Sequence, residues 1–278
     1  MRGAEAATAL TGVRAVSSAA LGGTAHRIEL ADGSVVVAKR HDHASAVLAE
    51  ATGLRWLADA GSVPVPAVRG HDDEWLVADH VTPGSPTATG AEALGRDLAG
   101  LHAAGAPAFG APPPDGPVDA WIGLAPMRNE TGADWPSWYA AHRLEPYLRT
   151  AADHGHDLRV VGEVCERVDA LAGPAEPPAR LHGDLWSGNV LWSTGGAWLI
   201  DPAAHGGHRE TDLAMLHLFG CAHLDRVVAG YEEVAPLADG WRARIPLHQL
   251  FPLLVHTVLF GGGYARQTRD AARAALRA

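Results

Sequence analysis

At 278 residues and 29.1 kDa, the chain is long enough for one large domain or two compact lobes around a shared cleft. Hydrophobic residues make up 47% and charged residues 19%, a globular balance that argues against long disorder. The 22 Lys and Arg against 32 Asp and Glu leave a net charge of −10. That argues against a nucleic-acid binder relying on phosphate neutralisation and favours a cationic small molecule or basic side chain as partner.

The two cysteines, Cys165 and Cys221, form neither a disulfide framework nor a zinc spacing, so reduced thiols in a cytoplasmic protein are expected. Glu5 and Arg14 interrupt the Ala-rich start, leaving no secretory core, and no apolar run is long enough to span a membrane. Lysine occurs once, at Lys39, in a chain that otherwise uses Arg. Chance accounts for such a survivor as readily as a site that requires a compact ammonium.

The elements follow in chain order. Ser17 to Thr24 carries Gly22-Gly23, a small-residue turn between two strands. Ile28 and Leu30 alternate, Asp32-Gly33 turns the chain, and Val35 to Lys39 runs on, predicting a hairpin with Lys39 on the face of Val35 and Val37. Val47, Leu48, Leu54 and Leu57 recur at helical spacing before Gly61, with Glu50 on that helix. Val63-Pro64-Val65-Pro66 forbids helix, and short strands are predicted at 67–70 and 75–81. Thr82 to Pro86 reads as a linker, so residues 1–81 are expected to form a nucleotide-binding lobe with one helix. Residues 82–278 are expected to form a larger, mainly helical catalytic and substrate-binding lobe.

Beyond the linker, helices are predicted around Leu94–Leu101, over 138–148 and over 160–171, with 106–118 a loop. The stretch 180–207 is irregular and Gly-rich, with a hairpin at 190–192 and 197–200. From Arg209 onward the pattern is helical.

The irregular centre holds Asp184, Asn189 five positions later, and Asp201 twelve beyond that. Phosphoryl transfer needs one carboxylate to orient and deprotonate an alcohol, and an amide oxygen and a second carboxylate to hold Mg²⁺ on the phosphates. A strand Lys and a helix Glu to grip the phosphates complete that set, and Lys39 and Glu50 stand where it requires them. Singly, Asp184 or Asn189 reads as a turn residue; jointly the spacing carries the chemistry. His205 and His208 are weighed as metal ligands and set aside, because Gly206-Gly207 between them disfavours a rigid helix. Asp212 is weighed as touching the segment around Asp184, but capping or buried pairing near Arg209 is the expected role.

The runs His182–Asn189, Asp201-Pro202 and Gly207–Met215 resemble the fructosamine kinase family, within the wider aminoglycoside phosphotransferase and choline kinase group. Trp135–Trp138, His142–Leu144, Gln249–Phe251 and Phe260–Gly262 extend the resemblance over nearly the whole chain, and Leu185-Trp186-Ser187-Gly188 is its most specific part. The resemblance implies an α+β, bilobal, protein-kinase-like fold and an ATP- and Mg²⁺-dependent kinase of the O3 hydroxyl of ketosamines, leading to release of the amine. It implies Asp184 as base, Asn189 and Asp201 as Mg²⁺ ligands, and Lys39 and Glu50 as the phosphate-gripping pair. It also implies Ala78-Asp79-His80-Val81 as the adenine hinge and Gly22-Gly23 in the nucleotide loop. Trp186, two residues beyond Asp184, is expected at the substrate from that position, with a buried core tryptophan as the alternative. The chain departs from the family's richer loop, since Ser18-Ala19-Ala20-Leu21 precede only two glycines and no cysteine. Redox control through that loop is therefore not expected. A kinase of an aminoglycoside, choline or another small alcohol is the nearest rival, and a nucleotide-binding pseudokinase is the rival from another class.

Overall fold

A computed structural model describes residues 2–278. Its N-terminal part is a five-stranded antiparallel sheet of β1 (Ala15–Gly22), β2 (Ala25–Leu30), β3 (Val35–Arg40), β4 (Val68–His71) and β5 (Trp75–Asp79), in the order β1-β2-β3-β5-β4. The Asp32-Gly33 turn forms as the sequence predicts: Gly33 has φ +86° and the Asp32 carboxylate accepts the Ser34 amide at 2.9 Å. Strand alternation buries Val36 and Ala38 on one face and turns Val37 and Lys39 into the cleft.

Two helices accompany this sheet where one was expected. Helix α1 (Gly3–Thr11) lays Ala6 and Ala7 on Ile28, Leu30, Val36 and Val77, the sheet face away from the cleft. Its start is fixed by Glu5, whose carboxylate accepts the Arg2 amide at 3.0 Å, and its end by Gly12 at φ +72°. Helix α2 (Ala44–Asp59) carries Glu50 inward.

The chain then crosses to a mainly helical part. Gly84 donates its amide to the Trp192 carbonyl before Thr87 caps α3 (Ala88–Ala103). A hairpin of β6 (Asp119–Ile122) and β7 (Ala125–Arg128) follows, then α4 (Trp135–Tyr139), a π-helical turn at Ala140–Leu144, α5 (Glu145–Asp153) and α6 (Arg159–Leu171). The centre contains β8 (Ala179–Leu181), a 3₁₀ turn at Ser187–Asn189, the hairpin β9 (Val190–Ser193) and β10 (Gly196–Leu199), and β11 (His205–Gly207). Strands β8 and β11 pair across the stretch that reads as irregular in sequence. Helices α7 (Glu210–Phe219), α8 (Leu224–Val234), α9 (Trp241–Phe260) and α10 (Gly262–Ala275) complete the chain. No helix among the described residues is long and apolar enough to cross a membrane.

Candidate active site

Two cavities of about 620 and 570 Å³ open between the sheet and the helical part, and Lys39, Glu50 and Asp201 line both. The Lys39 ammonium lies 2.9 Å from Glu50 Oε2 and 3.0 Å from Asp201 Oδ1. Burial opposes its charge, but the two carboxylates hold its pKa above the ordinary lysine value. Burial likewise pushes Glu50 upward, and Lys39 with His41, 3.0 Å away, overcomes it and keeps Glu50 ionised. Asp201 is raised by burial and by the neighbouring Glu50 carboxylate. It also sits at φ +53°, a left-handed conformation that non-glycine residues adopt at a cost and that clusters at functional sites.

The second element is the segment leaving β8. Gly183 has φ +81°, and a Cβ there would stand 2.1 Å from the Ala203 carbonyl, so only glycine allows the segments before Asp184 and after Asp201 to meet. The buried Asp212 carboxylate accepts the amides of His182 at 2.8 Å and Gly183 at 3.0 Å, with His102 Nε2 at 3.2 Å. Asp212 therefore braces the segment carrying Asp184, which corrects the expectation that it caps or pairs near Arg209. Arg209 instead bonds the carboxylate of Glu176. His182 ties the two acidic segments together, with Nε2 2.9 Å from the Ile200 carbonyl and Nδ1 accepting the Asp184 amide at 3.3 Å.

Asp184 and Asn189 face the larger cavity together with Trp186. Burial raises the Asp184 pKa to about 6 and nearby Asp201 and Asp212 add to it, while a bond from Asn189 opposes the shift. Asn189 Nδ2 points at the Asp184 carbonyl and carboxylate, at 2.8 and 3.2 Å, so its carbonyl oxygen is turned away from them. The hard oxygens of Asn189 and Asp201, beside carboxylates that outnumber the one lysine, are the donor set Mg²⁺ prefers.

The smaller cavity takes in Gly22 and Gly23 at the β1–β2 turn and Asp79, His80 and Val81 after β5. The turn glycines sit at φ +129° and +52°. The amides of Asp79 and His80 are used by the Ala67 and Val35 carbonyls, whereas the Val81 amide has no backbone partner of this kind among the described residues. The Asp79 carboxylate is held outside by Arg69.

A profile of the fructosamine kinase family matches residues 6–278. The chain belongs to the fructosamine kinase family. A Thermobifida fusca protein assigned as a fructosamine-3-kinase superposes with a TM-score of 0.93 at 51% identity, over 99% of this chain and 98% of that one. A Klebsiella aerogenes protein assigned as a ketoamine kinase is 33% identical over 82% of this chain and 80% of its own. An aminoglycoside phosphotransferase crystallised with ADP and hygromycin B shares the fold at TM-score 0.65 and 14% identity, covering 99% of each chain. The chain is thus a phosphotransferase with a protein-kinase-like α+β fold.

Within this fructosamine kinase family chain, the specific part of the motif has a packing reason. A Cβ on Gly188 would stand 2.3 Å from the Trp186 ring, so the indole lies over the glycine main chain. Trp186 keeps 40% of its surface exposed and makes a T-shaped contact with Phe219, at 6.1 Å between ring centres. It is therefore not a core tryptophan. His256 and Phe260 of α9 line the same cavity, as do Trp121 and Leu124 of the β6–β7 hairpin.

The structure brings Lys39, Glu50, Asp184, Trp186, Asn189 and Asp201 to one cleft, with the glycine turn and the hinge around its smaller half. Sequence reasoning weighed contact of Asp212 with the Asp184 segment but ranked it second, and it missed His102, His41 and the β6–β7 hairpin; His102 meets Asp212 from 110 positions away, and no interval along the chain announces that. Of these two histidines, His208 falls in a buried group with Glu210 and His248 whose ligand atoms lie within 4.8 Å of one another, and His205 does not. His205 Nδ1 faces the Ala203 carbonyl at 2.8 Å, and His208 lies near Glu210 and His248, where Arg244 bonds both Glu210 oxygens.

Proposed function

We propose that the chain transfers the γ-phosphoryl group of ATP to the O3 hydroxyl of a ketosamine, a sugar joined to an amine through C1 and carrying a C2 ketone. The observation that carries this reading is Asp184. It is a carboxylate raised to about 6, facing the acceptor cavity beside Trp186 and close to the Lys39, Glu50 and Asp201 cluster. A carboxylate with that pKa is poised to accept a hydroxyl proton near neutral pH.

On this reading adenine occupies the smaller cavity against the Val81 amide, and residues 1–81 carry most of the nucleotide contacts. Lys39, steadied by Glu50, grips the phosphates. Asn189 and Asp201 would hold Mg²⁺, which when bound supplies the positive charge that the phosphates and surplus carboxylates require. Asp184 orients the acceptor hydroxyl and takes its proton as the oxygen attacks phosphorus and the β–γ bridge breaks. Trp186 offers its face to the sugar carbons and the substrate's ammonium. The net charge of −10 favours approach of a cationic amine, and two free cysteines suit a cytoplasmic protein.

The proposed product explains deglycation. Enolisation between C1 and C2 places the C3 phosphate beside an enaminol double bond, from which inorganic phosphate departs. Addition of water to the resulting imine releases the amine. The test is ADP release with fructoselysine, ribuloselysine and an aminoglycoside side by side, followed by phosphate release from the product. Turnover of the ketosamines with delayed phosphate release is expected. Turnover of the aminoglycoside alone would replace the substrate, and ATP binding without turnover of any alcohol would make the chain a pseudokinase.

A further inference from the structure

The apolar face of α2 packs on the helical part as well as on Leu76 of the sheet. Val47, Leu54 and Leu57 share one core with Leu185 and Leu199. Ala49, adjacent to Glu50, lies on the other C-terminal core, and a Cβ at Gly53 would stand 3.3 Å from Pro202 and Ala204. Ahead of Val47 the first turn is less buried. Its N-cap residue His43 makes no side-chain bond to the helix, and both His43 and Ala44 are exposed.

That turn is held instead by Trp121 of β6. The Trp121 ring stacks on the His43 ring with centres 4.4 Å apart and planes 12° from parallel, and Trp121 Nε1 donates to Ser45 Oγ at 2.9 Å. Ala120 and Ile122 on either side are buried in the C-terminal core, so the hairpin is a firm anchor. Trp121 and His43 also line the acceptor cavity, whereas Ser45 does not.

We propose that Trp121 is a positioning residue that clasps the first turn of α2 and thereby fixes Glu50 against Lys39. The wall of the acceptor cavity and the phosphate grip are then one mechanical unit. This rests on the phosphotransferase reading, which gives the Lys39–Glu50 pair its task. It does not depend on which alcohol is the acceptor, because ATP affinity and slow ATP hydrolysis are measured without one.

Ser45→Ala removes the hydrogen bond and alters no cavity wall. It is expected to weaken ATP binding in calorimetry, and to slow acceptor-free hydrolysis, by about fivefold, the net worth of one hydrogen bond. Trp121→Phe keeps the stack and should match Ser45→Ala, while Trp121→Ala loses both contacts and should fall further. In a Glu50→Gln background Ser45→Ala should add nothing, because the clasp acts through that carboxylate. A role in global stability alone would lower Tm without this dependence on Glu50. Wild-type ATP affinity and hydrolysis in Ser45→Ala, or an undiminished loss in the Glu50→Gln background, overturns the proposal.

Discussion

Asn189 Nδ2 lies 2.8 Å from the main-chain oxygen of Asp184 and 3.2 Å from its carboxylate, so one amide both steadies the acidic segment and turns its own carbonyl oxygen outward. The same side chain therefore has two separable roles, and substitutions can divide them. Asn189→Ala loses both the brace and the oxygen, whereas Asp201→Ala loses a charged oxygen and one partner of Lys39. Both are expected to raise the Mg²⁺ concentration needed for half-maximal rate or to abolish turnover, with Asp201→Ala the worse. Mg²⁺ titrations of initial rate decide this, and unchanged curves for both variants would remove the two residues from the metal site.

Asp184 is predicted to show opposite signs in activity and stability. Only the ionised carboxylate takes a proton, so kcat/KM should rise with pH through about 6. Folding raises its pKa above the unfolded value of about 4, so its contribution to stability is fully present below that value. That contribution is lost as pH rises through about 6. Asp184→Asn should therefore lower kcat by ~10²–10⁴-fold while raising Tm at pH 7.5. The Tm gain should vanish toward pH 4. A rate loss under about threefold, well short of general-base removal, would take the base role away from Asp184, and a Tm below wild type at pH 7.5 would refute its raised pKa.

Lys39→Arg preserves charge and should still fail. The ammonium occupies a gap between Glu50 and Asp201 with contacts of 2.9 and 3.0 Å, and a longer forked guanidinium cannot fill it without moving one carboxylate. Displacing a phosphate-gripping group by about 1 Å costs on the order of 100-fold in rate. Steady-state kinetics with ATP varied should show kcat reduced and the ATP KM raised together. Wild-type kinetics would make the solitary lysine a compositional accident.

Much of the cleft is legible in the sequence because its signals are local. Asp32-Gly33 between alternating apolar residues fixes a hairpin, and the period of two then turns Lys39 toward the cleft with Val37. The intervals from Asp184 to Asn189 and Asp201 are spanned by one short turn and one hairpin, so spacing alone brings those residues together. What escaped reading has no local signal. Helix α1 buries alanines and a glycine, which give little contrast between its faces. The β6–β7 hairpin carries Pro126, a residue that argues against a strand unless the strand lies at an edge. The Asp212 contact ranked second because it reaches amides 29 and 30 positions back, across β8 and β11, and no interval along the chain announces that.

Trp186 sits where the motif is most specific to its family, and its exposure makes its role testable. The indole lies over Gly188, is 40% exposed and lines the larger cavity, with Phe219 in a T-shaped contact. Packing on sugar carbons and attraction of the substrate's ammonium by the ring face would contribute ~0.5–2 kcal/mol. Trp186→Ala is expected to raise the ketosamine KM by that factor, about 2- to 30-fold. The ATP KM and slow ATP hydrolysis should stay near wild type, because the ring lies outside the smaller cavity. The Tm should change little, since an exposed ring leaves no large buried void when removed. A tryptophan that served only to pack the loop would behave differently: its loss would loosen Asp184 and Asn189, lowering kcat and Tm together and sparing KM. Kinetics in both substrates alongside a thermal melt separate the two, and a stable variant with unaltered ketosamine KM would remove Trp186 from the substrate wall.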